Sequence, residues 1–284
     1  MEEIKKKVQE WWDSSPCCSN MAKAAPGTRR FYEEVDAYKD EYEPFTNHIA
    51  DYASWNGKNV LEIGCGLGKD FSRFASAGAA AISIDMSIES LKLTKKRLEI
   101  FGLKGNLCLA DAENLPFKDD VFDLVFSWGV LHHTPDTQKA VDELYRCLKP
   151  QKGKAIIMLY NKHSFYNFKI AIAGLKSILI STFGLKLLLS VKRLVLPWKW
   201  FKKSRTELTE WEKLNGAQLL AACSDGFGNP LSKVYSRRDA LNMFSKFRNI
   251  NIQAYESTNN RFIFKVSKAI ERYFGWFMVI KAEK

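Results

Sequence analysis

The sequence has little of what holds small secreted or zinc-binding domains together. Its 284 residues include 6 cysteines, and no two of them form a C-x-x-C pair. That spacing indicates neither a disulfide framework nor a zinc site, so we expect no metal centre. The first residues carry charges but no apolar stretch like that of a signal peptide, which together with the cysteine usage predicts a cytoplasmic protein.

Uncharged apolar runs of membrane-spanning length are also missing from the long apolar segment after residue 160. Residues 161–214 contain 11 Lys or Arg against 3 acidic residues, and basic residues interrupt the apolar ones throughout. No uncharged run there approaches the roughly 18 residues that cross a bilayer. The segment suits a helix packed on the core with a solvated basic face, and it also suits peripheral contact with an anionic membrane.

Three glycines at alternate positions follow a short apolar run over 60–63. The apolar run suits a buried parallel strand, and glycines allow the backbone to turn sharply and approach a ligand closely. A dinucleotide-binding loop would place its third glycine at position 69, where this chain has Lys69. The pattern therefore favours a loop for a nucleotide cofactor other than a dinucleotide, with an ordinary strand-to-helix turn as the alternative.

Acidic residues follow the next two apolar runs. Asp85 ends the run over 79–84 and lies 17 residues past Gly68, and Asp111 ends the run over 106–110. A carboxylate at the end of the second strand can accept hydrogen bonds from ribose hydroxyls, although a helix N-cap is the alternative role. A fourth apolar run over 122–128 leads into the sequence G-V-L-H-H.

These four motifs, in this order over residues 59–160, resemble those of the class I S-adenosylmethionine (SAM)-dependent methyltransferases. The run after the fourth strand resembles the small-molecule, UbiE-like branch of that family. The resemblance implies SAM as the cofactor, with an acidic residue after the third strand contacting the adenine amino group. The cofactor-binding candidates are Glu62, Gly64, Gly66, Gly68, Asp85, Met86, Asp111, Ala112 and Trp128.

Strand and helix patterns alternate through residue 160, and a helix over 236–247 and strands over 251–256 and 276–282 follow. This alternation predicts an α/β fold with helices on both faces of a mostly parallel sheet. The resemblance implies a Rossmann-like, seven-stranded sheet of order 3-2-1-4-5-7-6 whose last strand is antiparallel. The predicted division is an N-terminal helical cap over 1–50, a SAM-binding core over 51–160, a helical substrate-lid insertion over 161–232, and the C-terminal part of the core over 233–284.

Methyl transfer from SAM is an in-line displacement that mainly requires the acceptor to be oriented and water to be excluded. A base is needed only when the acceptor arrives protonated. His133 is the first candidate for that catalytic base, and a structural helix cap is its alternative role. The substrate candidates are Tyr32, Tyr38, His132 and His163, and the two tyrosines can equally anchor the cap to the core.

We therefore expect a SAM-dependent methyltransferase of enzyme class 2.1.1 that acts on a small-molecule, peptide or lipid-like acceptor, such as a natural product. The fourth strand is not followed by D-P-P-Y or N-P-P-Y, which disfavours DNA adenine and glutamine methylation. An RNA-modifying or nucleic-acid-binding protein that uses the basic segment stays an alternative, although the basic residues alternate with Leu and Ile. A non-catalytic partner protein with the same fold is another alternative, and the oligomeric state is not predicted.

Overall fold

The computed structural model describes residues 2–165, 225, 228–257 and 268–284. Within these ranges the chain builds one seven-stranded sheet with helices on both faces. The strands are β1 (Asn59–Ile63), β2 (Ala80–Asp85), β3 (Asn106–Leu109), β4 (Leu124–Trp128), β5 (Lys154–Tyr160), β6 (Arg248–Tyr255) and β7 (Phe277–Glu283). The helices are α1 (Glu2–Ser14), α2 (Arg29–Tyr42), α3 (Thr46–Ala50), α4 (Lys69–Ser76), α5 (Ile88–Phe101), α6 (Thr137–Cys147), α7 (Arg237–Met243) and α8 (Lys268–Phe274).

The strand order is β3-β2-β1-β4-β5-β7-β6, which confirms the fold class expected from the sequence. Strands β1 to β5 pair in parallel, whereas β7 lies antiparallel to both β5 and β6. The chain therefore winds outward from β1 in one direction and then returns to wind outward from β4. Ligands in open α/β sheets bind where the order reverses in this way, beyond the carboxyl ends of the strands.

Side chains that alternate along the strands fill a core on each face of the sheet. Leu61 and Ile63 of β1 belong to the core that packs on α6 and α7. Val60 of the same strand belongs to the opposite core, which packs on α3, α4 and α5. This two-sided burial explains the continuous apolar runs by which the sequence predicted these strands.

Side-chain caps fix the starts of two helices. Ser236 and Asp239 form a reciprocal capping box, in which each side chain accepts a hydrogen bond from the other residue's backbone amide. Ser87 is the N-cap of α5 and accepts a hydrogen bond from the amide of Ser90. Caps of this kind satisfy amides that have no partner within the helix, so the chain enters each helix at a defined residue.

The predicted lid over 161–232 and the basic segment over 161–214 lie almost entirely outside the described residues. The predicted boundaries of the four regions therefore stay a prediction. No helix in the described ranges is long and apolar enough to cross a bilayer.

Candidate active site

A cavity lies at the carboxyl ends of β1, β2 and β4, between the glycine loop and α1. Parallel strands end at the same edge of the sheet, so residues far apart in sequence meet there. The cavity lining includes His133 and all but one of the predicted cofactor residues, namely Glu62, Gly64, Gly66, Asp85, Met86, Asp111, Ala112 and Trp128. Gly68 is the exception.

Gly66 and Gly68 have different structural roles in the glycine loop. Gly68 has φ of +75° and begins α4, and a Cβ there would lie 2.8 Å from Cγ2 of Thr94 in α5. Gly66 has φ of +51°, and a Cβ there would have no atom within 4 Å. Thr94 also donates from Oγ1 to the carbonyl of Gly66 at 3.0 Å, which holds the loop against α5. Gly68 thus allows close packing, whereas Gly66 leaves space on the cavity side.

Asp85 stands at the end of β2, between the glycine loop and the start of α5. Oδ2 accepts from the amide of Gly66 at 3.0 Å, and Oδ1 accepts from the amide of Ser87 at 2.9 Å. Burial raises the pKa of Asp85, and these backbone hydrogen bonds oppose part of that rise. Oδ2 also accepts from the thiol of Cys65 at 3.6 Å. A carboxylate has about four acceptor sites and a thiol is a weak donor, so Asp85 can still receive hydroxyl donors from a ligand.

Glu62 is a buried carboxyl on the cavity wall. Its Oε2 accepts from Ser83 at 3.0 Å, and burial together with the nearby Asp70 carboxylate raises the pKa of Glu62 well above its usual range. Asp70 also lines the cavity and accepts from the hydroxyl of Tyr52 at 2.5 Å. Two neighbouring carboxyls at a cavity wall favour a cationic group in the cavity, because a cation relieves their mutual repulsion.

Lys5 of α1 lines the cavity at the end that also contains Asp111. Its Nζ lies 2.5 Å from Oδ2 of Asp111 and 2.7 Å from Oε2 of Glu113. Burial disfavours the charged amine, but the bonds to these two carboxylates outweigh it and raise the pKa of Lys5. Lys5 was missed in the sequence because it sits in a run of three lysines with no motif around it.

Helix α1 extends from this end of the cavity to the other. Asp13 accepts from Oγ of Ser87 at 2.8 Å and from the amide of Glu89 at 3.2 Å, which fixes α1 on the start of α5. Trp12, one residue earlier, packs edge-on against the ring of His133 with 5.1 Å between the ring centroids. Helix α1 is therefore a cover over both ends of the cavity.

His133 stands at the acceptor end, in the short 3₁₀ helix Leu131–His133 that follows β4. Its Nδ1 lies 2.7 Å from the carbonyl oxygen of Leu231. A carbonyl only accepts, so Nδ1 carries a hydrogen and the lone pair of the neutral ring is on Nε2. Nε2 lies 3.7 Å from Oδ1 of Asp225, and the hydroxyl of Tyr160 donates to the same oxygen at 2.6 Å.

His132 and His163, the neighbouring candidates, do not line the cavity. His132 is fully buried and stacks on Tyr160 with 3.8 Å between the ring centroids. Burial first, and then the charges of His133 and Lys233, lower the pKa of His132 well below its usual range. His163 is exposed, with its amide bonded to the side chain of Asn161.

The two tyrosine candidates also lie outside the cavity lining. Tyr32 is fully buried, and its hydroxyl donates to the carbonyl of Leu93 in α5 at 2.6 Å. The guanidinium of Arg97 lies over the ring of Tyr32. Tyr38 stacks on Tyr42 within α2, with 5.7 Å between the ring centroids. The contacts of Tyr32 with α5 fit the anchoring role that the sequence left open, whereas the stacking of Tyr38 stays within α2.

Glu43, just after α2, lines the cavity and was not singled out in the sequence. Its Oε2 accepts from Nε1 of Trp128 at 2.6 Å, which fixes the indole at the end of β4. Lys39 of α2 also lines the cavity. Burial disfavours its charge, but Glu43 and the adjacent cysteine thiols outweigh that effect and raise the pKa of Lys39 well above its usual range.

The residues around the cavity fit SAM. Its two cationic groups suit the carboxyls of Glu62 and Asp70, and its ribose hydroxyls suit the remaining acceptor sites of Asp85. The open space beside Gly66 admits a ligand against bare backbone. No group of three His, Cys, Asp or Glu side chains within the described ranges is arranged to hold a metal ion.

Comparison with known proteins agrees with this fit. A family model described as a methyltransferase domain matches residues 61–157. Norajmaline N-methyltransferase of Rauvolfia serpentina is 35% identical over 44% of this chain and 42% of its own length. A UbiE ubiquinone/menaquinone biosynthesis C-methyltransferase of Haemophilus ducreyi is 32% identical over 40% of this chain and 49% of its own length. The chain thus spans about half the length of these curated relatives.

The fold is also similar to that of a solved methyltransferase structure. The crystal structure of a SAM-dependent methyltransferase from Mesorhizobium loti superposes with a TM-score of 0.52 at 17% identity, over 81% of this chain and 92% of that chain. This likeness concerns the fold, while the family match over 61–157 covers the glycine loop, Asp85 and Asp111. Residues 61–157 of the chain therefore match a methyltransferase domain, and SAM is the cofactor that the cavity beside them fits.

Proposed function

We propose that the protein transfers the methyl group of SAM to a small-molecule or lipid-like acceptor with apolar bulk. The observation that carries the proposal is the continuity of the cavity. One lining includes the acidic cofactor residues Glu62 and Asp85 and also His133, Trp12 and Tyr160 at the other end. A methyltransferase needs such continuity because the acceptor atom must reach the methyl group directly.

The methyl group needs no activation by a side chain. When bound, SAM supplies a methyl group on a positively charged sulfur that leaves as a neutral thioether. Asp85 would hold the ribose, Glu62 and Asp70 would hold the cationic part, and Asp111 would lie at the adenine end beside Lys5. Holding two reactants in line can supply roughly 7–11 kcal/mol of the barrier reduction.

The N-terminal helices α1 and α2 would exclude water from the acceptor end of the cavity. Trp12 from α1 lies against His133, while Glu43 after α2 holds the indole of Trp128. The indole rings of Trp12 and Trp128 give this end of the cavity apolar surface. Such a site favours transfer to the acceptor because water neither competes as a nucleophile nor screens the groups that orient the substrate.

The proposal is tested by calorimetric titration of the full chain with SAM and with S-adenosylhomocysteine. Both should bind, and Asp85→Ala should weaken binding by roughly 1–3 kcal/mol because the ribose hydroxyls lose their acceptor. Asp142→Ala is the matched control, since this exposed carboxylate on α6 pairs with Lys246 away from the cavity. Absence of binding by the wild-type protein would refute the proposal.

Membrane contact and nucleic-acid binding stay predictions. The basic residues that suggested membrane contact or nucleic-acid binding lie in 161–214, and the residues after 165 in that range are outside the described part of the chain. The relatives named above are N- and C-methyltransferases by their names, so the family match fits more than one acceptor atom. The cytoplasmic location also stays a prediction.

A further inference from the structure

Lys39 is a cation on the side of α2 that borders the cavity. Val35 and Lys39 of α2 and Glu43, which caps the end of this helix, are spaced four residues apart, and all three line the cavity. Residues four apart lie on the same side of a helix. Within the part of the chain that the structure describes, Nζ of Lys39 takes part in no hydrogen bond and no ion pair. Its hydrogens are therefore available to a ligand in the cavity.

The other two described lysines of the cavity lining already have carboxylate partners. Nζ of Lys5 lies 2.5 Å from Oδ2 of Asp111. Nζ of Lys69 lies 3.0 Å from Oδ1 of Asp40, and the Lys69 side chain is only 4% exposed. No described arginine lines the cavity. Among the described lysines and arginines of the lining, Lys39 is thus the one without an ion-pair partner.

The nearby carboxyls keep Lys39 charged without occupying its hydrogens. Burial disfavours the charged amine, but Glu43 and, more weakly, Asp70 help to raise the pKa of Lys39 well above its usual range. Both carboxyls are already held by other donors. Glu43 accepts from Nε1 of Trp128 at 2.6 Å, and Asp70 accepts from the hydroxyl of Tyr52 at 2.5 Å. They therefore act on the amine only at longer range.

The thiols of Cys17 and Cys18 act on Lys39 in the same way. Their sulfurs lie 3.6 Å apart and share a hydrogen bond. That hydrogen bond lowers the pKa of Cys18 to about 7, while burial opposes the shift and the charge of Lys39 adds to it. Neither sulfur is hydrogen-bonded to Nζ of Lys39. The thiols thus favour the charged form of the amine and leave its hydrogens to a ligand.

Lys39 belongs to the end of the cavity where the amino-acid tail of SAM fits. The charge of Lys39 opposes part of the rise in the pKa of Glu62, and Asp70 in turn raises the pKa of Lys39. Glu62 and Asp70 suit the cationic groups of SAM, but they repel the carboxylate that the same tail carries. That carboxylate needs a positively charged donor at this end, and exclusion of water strengthens such a pair. Lys39 meets this requirement.

We propose that Lys39 binds the tail carboxylate of SAM and makes the site selective for cofactors that carry it. This inference rests on the proposed methyltransferase function. Lys39 lies on α2, outside the residues 61–157 that match a methyltransferase domain. Recognition of the tail is therefore divided, since Glu62 and Asp70 of the matched region bind its cationic groups and α2 supplies the cation for its carboxylate.

The test compares two ligands that differ only in this carboxylate. S-adenosylhomocysteine carries it, and the decarboxylated counterpart S-adenosyl-3-thiopropylamine keeps the adenosine, the thioether and the amine. We expect the wild-type full chain to bind S-adenosylhomocysteine at least tenfold more tightly by titration calorimetry. In Lys39→Gln this ratio should fall below threefold, because the carboxylate loses its charged donor. Lys39→Arg should restore a ratio above threefold, since a guanidinium also pairs with carboxylates.

Two further lysine variants separate carboxylate recognition from general damage. Lys5→Gln and Lys69→Gln each remove a cation that already has a carboxylate partner. Each change is free to weaken both ligands, but the ratio of the two affinities should stay within twofold of wild type. The ratio cancels any loss that affects both ligands equally, so it reports only the coupling between a side chain and the carboxylate.

Chemical labelling of the amine gives a second measurement. Trace reductive methylation with formaldehyde and cyanoborohydride, followed by peptide mass spectrometry, measures the reactivity of Lys39. Saturating S-adenosylhomocysteine should slow its labelling at least fivefold, whereas the saturating decarboxylated ligand should slow it less than twofold. Lys58, an exposed lysine outside the cavity lining, is the internal control and should label at the same rate throughout.

Three results would overturn the inference without touching the proposed function, as long as S-adenosylhomocysteine binds. In the first, wild type prefers S-adenosylhomocysteine by less than tenfold. In the second, the preference survives Lys39→Gln, which would assign the carboxylate to another donor. In the third, both ligands protect Lys39 from labelling equally. Failure of S-adenosylhomocysteine itself to bind would instead refute the proposed function, on which the inference rests.

Discussion

Lys5 and Asp111 form an ion pair across 106 residues of sequence, with 2.5 Å between Nζ and Oδ2. This contact, together with Glu113, ties the first turns of α1 to the loop that follows β3. A ligand in the cofactor side of the cavity would lie beneath α1. The ion pair is therefore a latch on the cover, and it shares Asp111 with the predicted adenine site.

Loss of this latch should speed ligand exchange. We expect Lys5→Ala to raise the dissociation rate of S-adenosylhomocysteine several-fold, because α1 then opens without breaking an ion pair to two carboxylates. Stopped-flow displacement measures the rate. Lys5→Arg, which keeps a cation in reach, is the matched control and should stay near wild type. An unchanged rate in Lys5→Ala would show that α1 does not gate the cavity.

The buried ring of His132 should make stability fall in mild acid. Burial keeps its folded-state pKa well below 6.5, so only the unfolded chain takes up the proton as the pH drops below about 6.5. The free energy of unfolding should then fall by up to about 1.4 kcal/mol per pH unit from this group. In His132→Phe, which keeps a ring against Tyr160, chemical denaturation at pH 7.5 and 5.5 should show a smaller fall. An equal fall in both proteins would contradict this account.

Asp40 should give a separate dependence at lower pH. Burial disfavours its charge, but hydrogen bonds from Arg73 and Lys69 outweigh burial and lower the pKa of Asp40 to about 2. Its contribution to stability is present above the unfolded value of 3.8 and is lost as the pH falls toward 2. Asp40→Asn should thus be less stable than wild type at pH 7, and the gap should narrow below pH 4. A gap independent of pH would argue against the ion pair between α2 and α4.

The individual strands of the sheet were predictable because each one is marked by an apolar run in its own stretch of sequence. The run before Gly64 and the run that ends at Asp85 are apolar except for Glu62 and Ser83, and each became a strand within about one residue of the predicted bounds. The order of the strands came from the family resemblance, since local patterns do not specify which strands are neighbours. The cofactor residues at strand ends followed from that order.

The acceptor end was less predictable because it depends on contacts between distant segments. His132 and His133 are consecutive, and a 3₁₀ turn rotates successive side chains by about 120°, so only the fold decides which one faces the cavity. Asp225 comes from a turn-rich stretch with no periodic pattern to mark it. Trp12 showed its aromatic character in the sequence, but its contact with His133 depends on how α1 packs.

Gly66 and Gly102 offer a matched pair for testing the cofactor site. Both have positive φ, of +51° and +65°, and a Cβ added at either would have no atom within 4 Å. Alanine at either position should therefore cost a similar roughly 1–2 kcal/mol of stability from backbone strain. Only Gly66 lines the cavity, whereas Gly102 caps the end of α5.

The most direct measurement of the central claim is the S-adenosylhomocysteine affinity of wild type, Gly66→Ala and Gly102→Ala, each titrated by calorimetry on folded protein. The account predicts that wild type and Gly102→Ala bind with the same affinity, and that Gly66→Ala binds at least tenfold more weakly, because its methyl group occupies space left for the ligand. Equal affinities in all three proteins, or no binding by wild type, would contradict the assignment of this cavity as the SAM site.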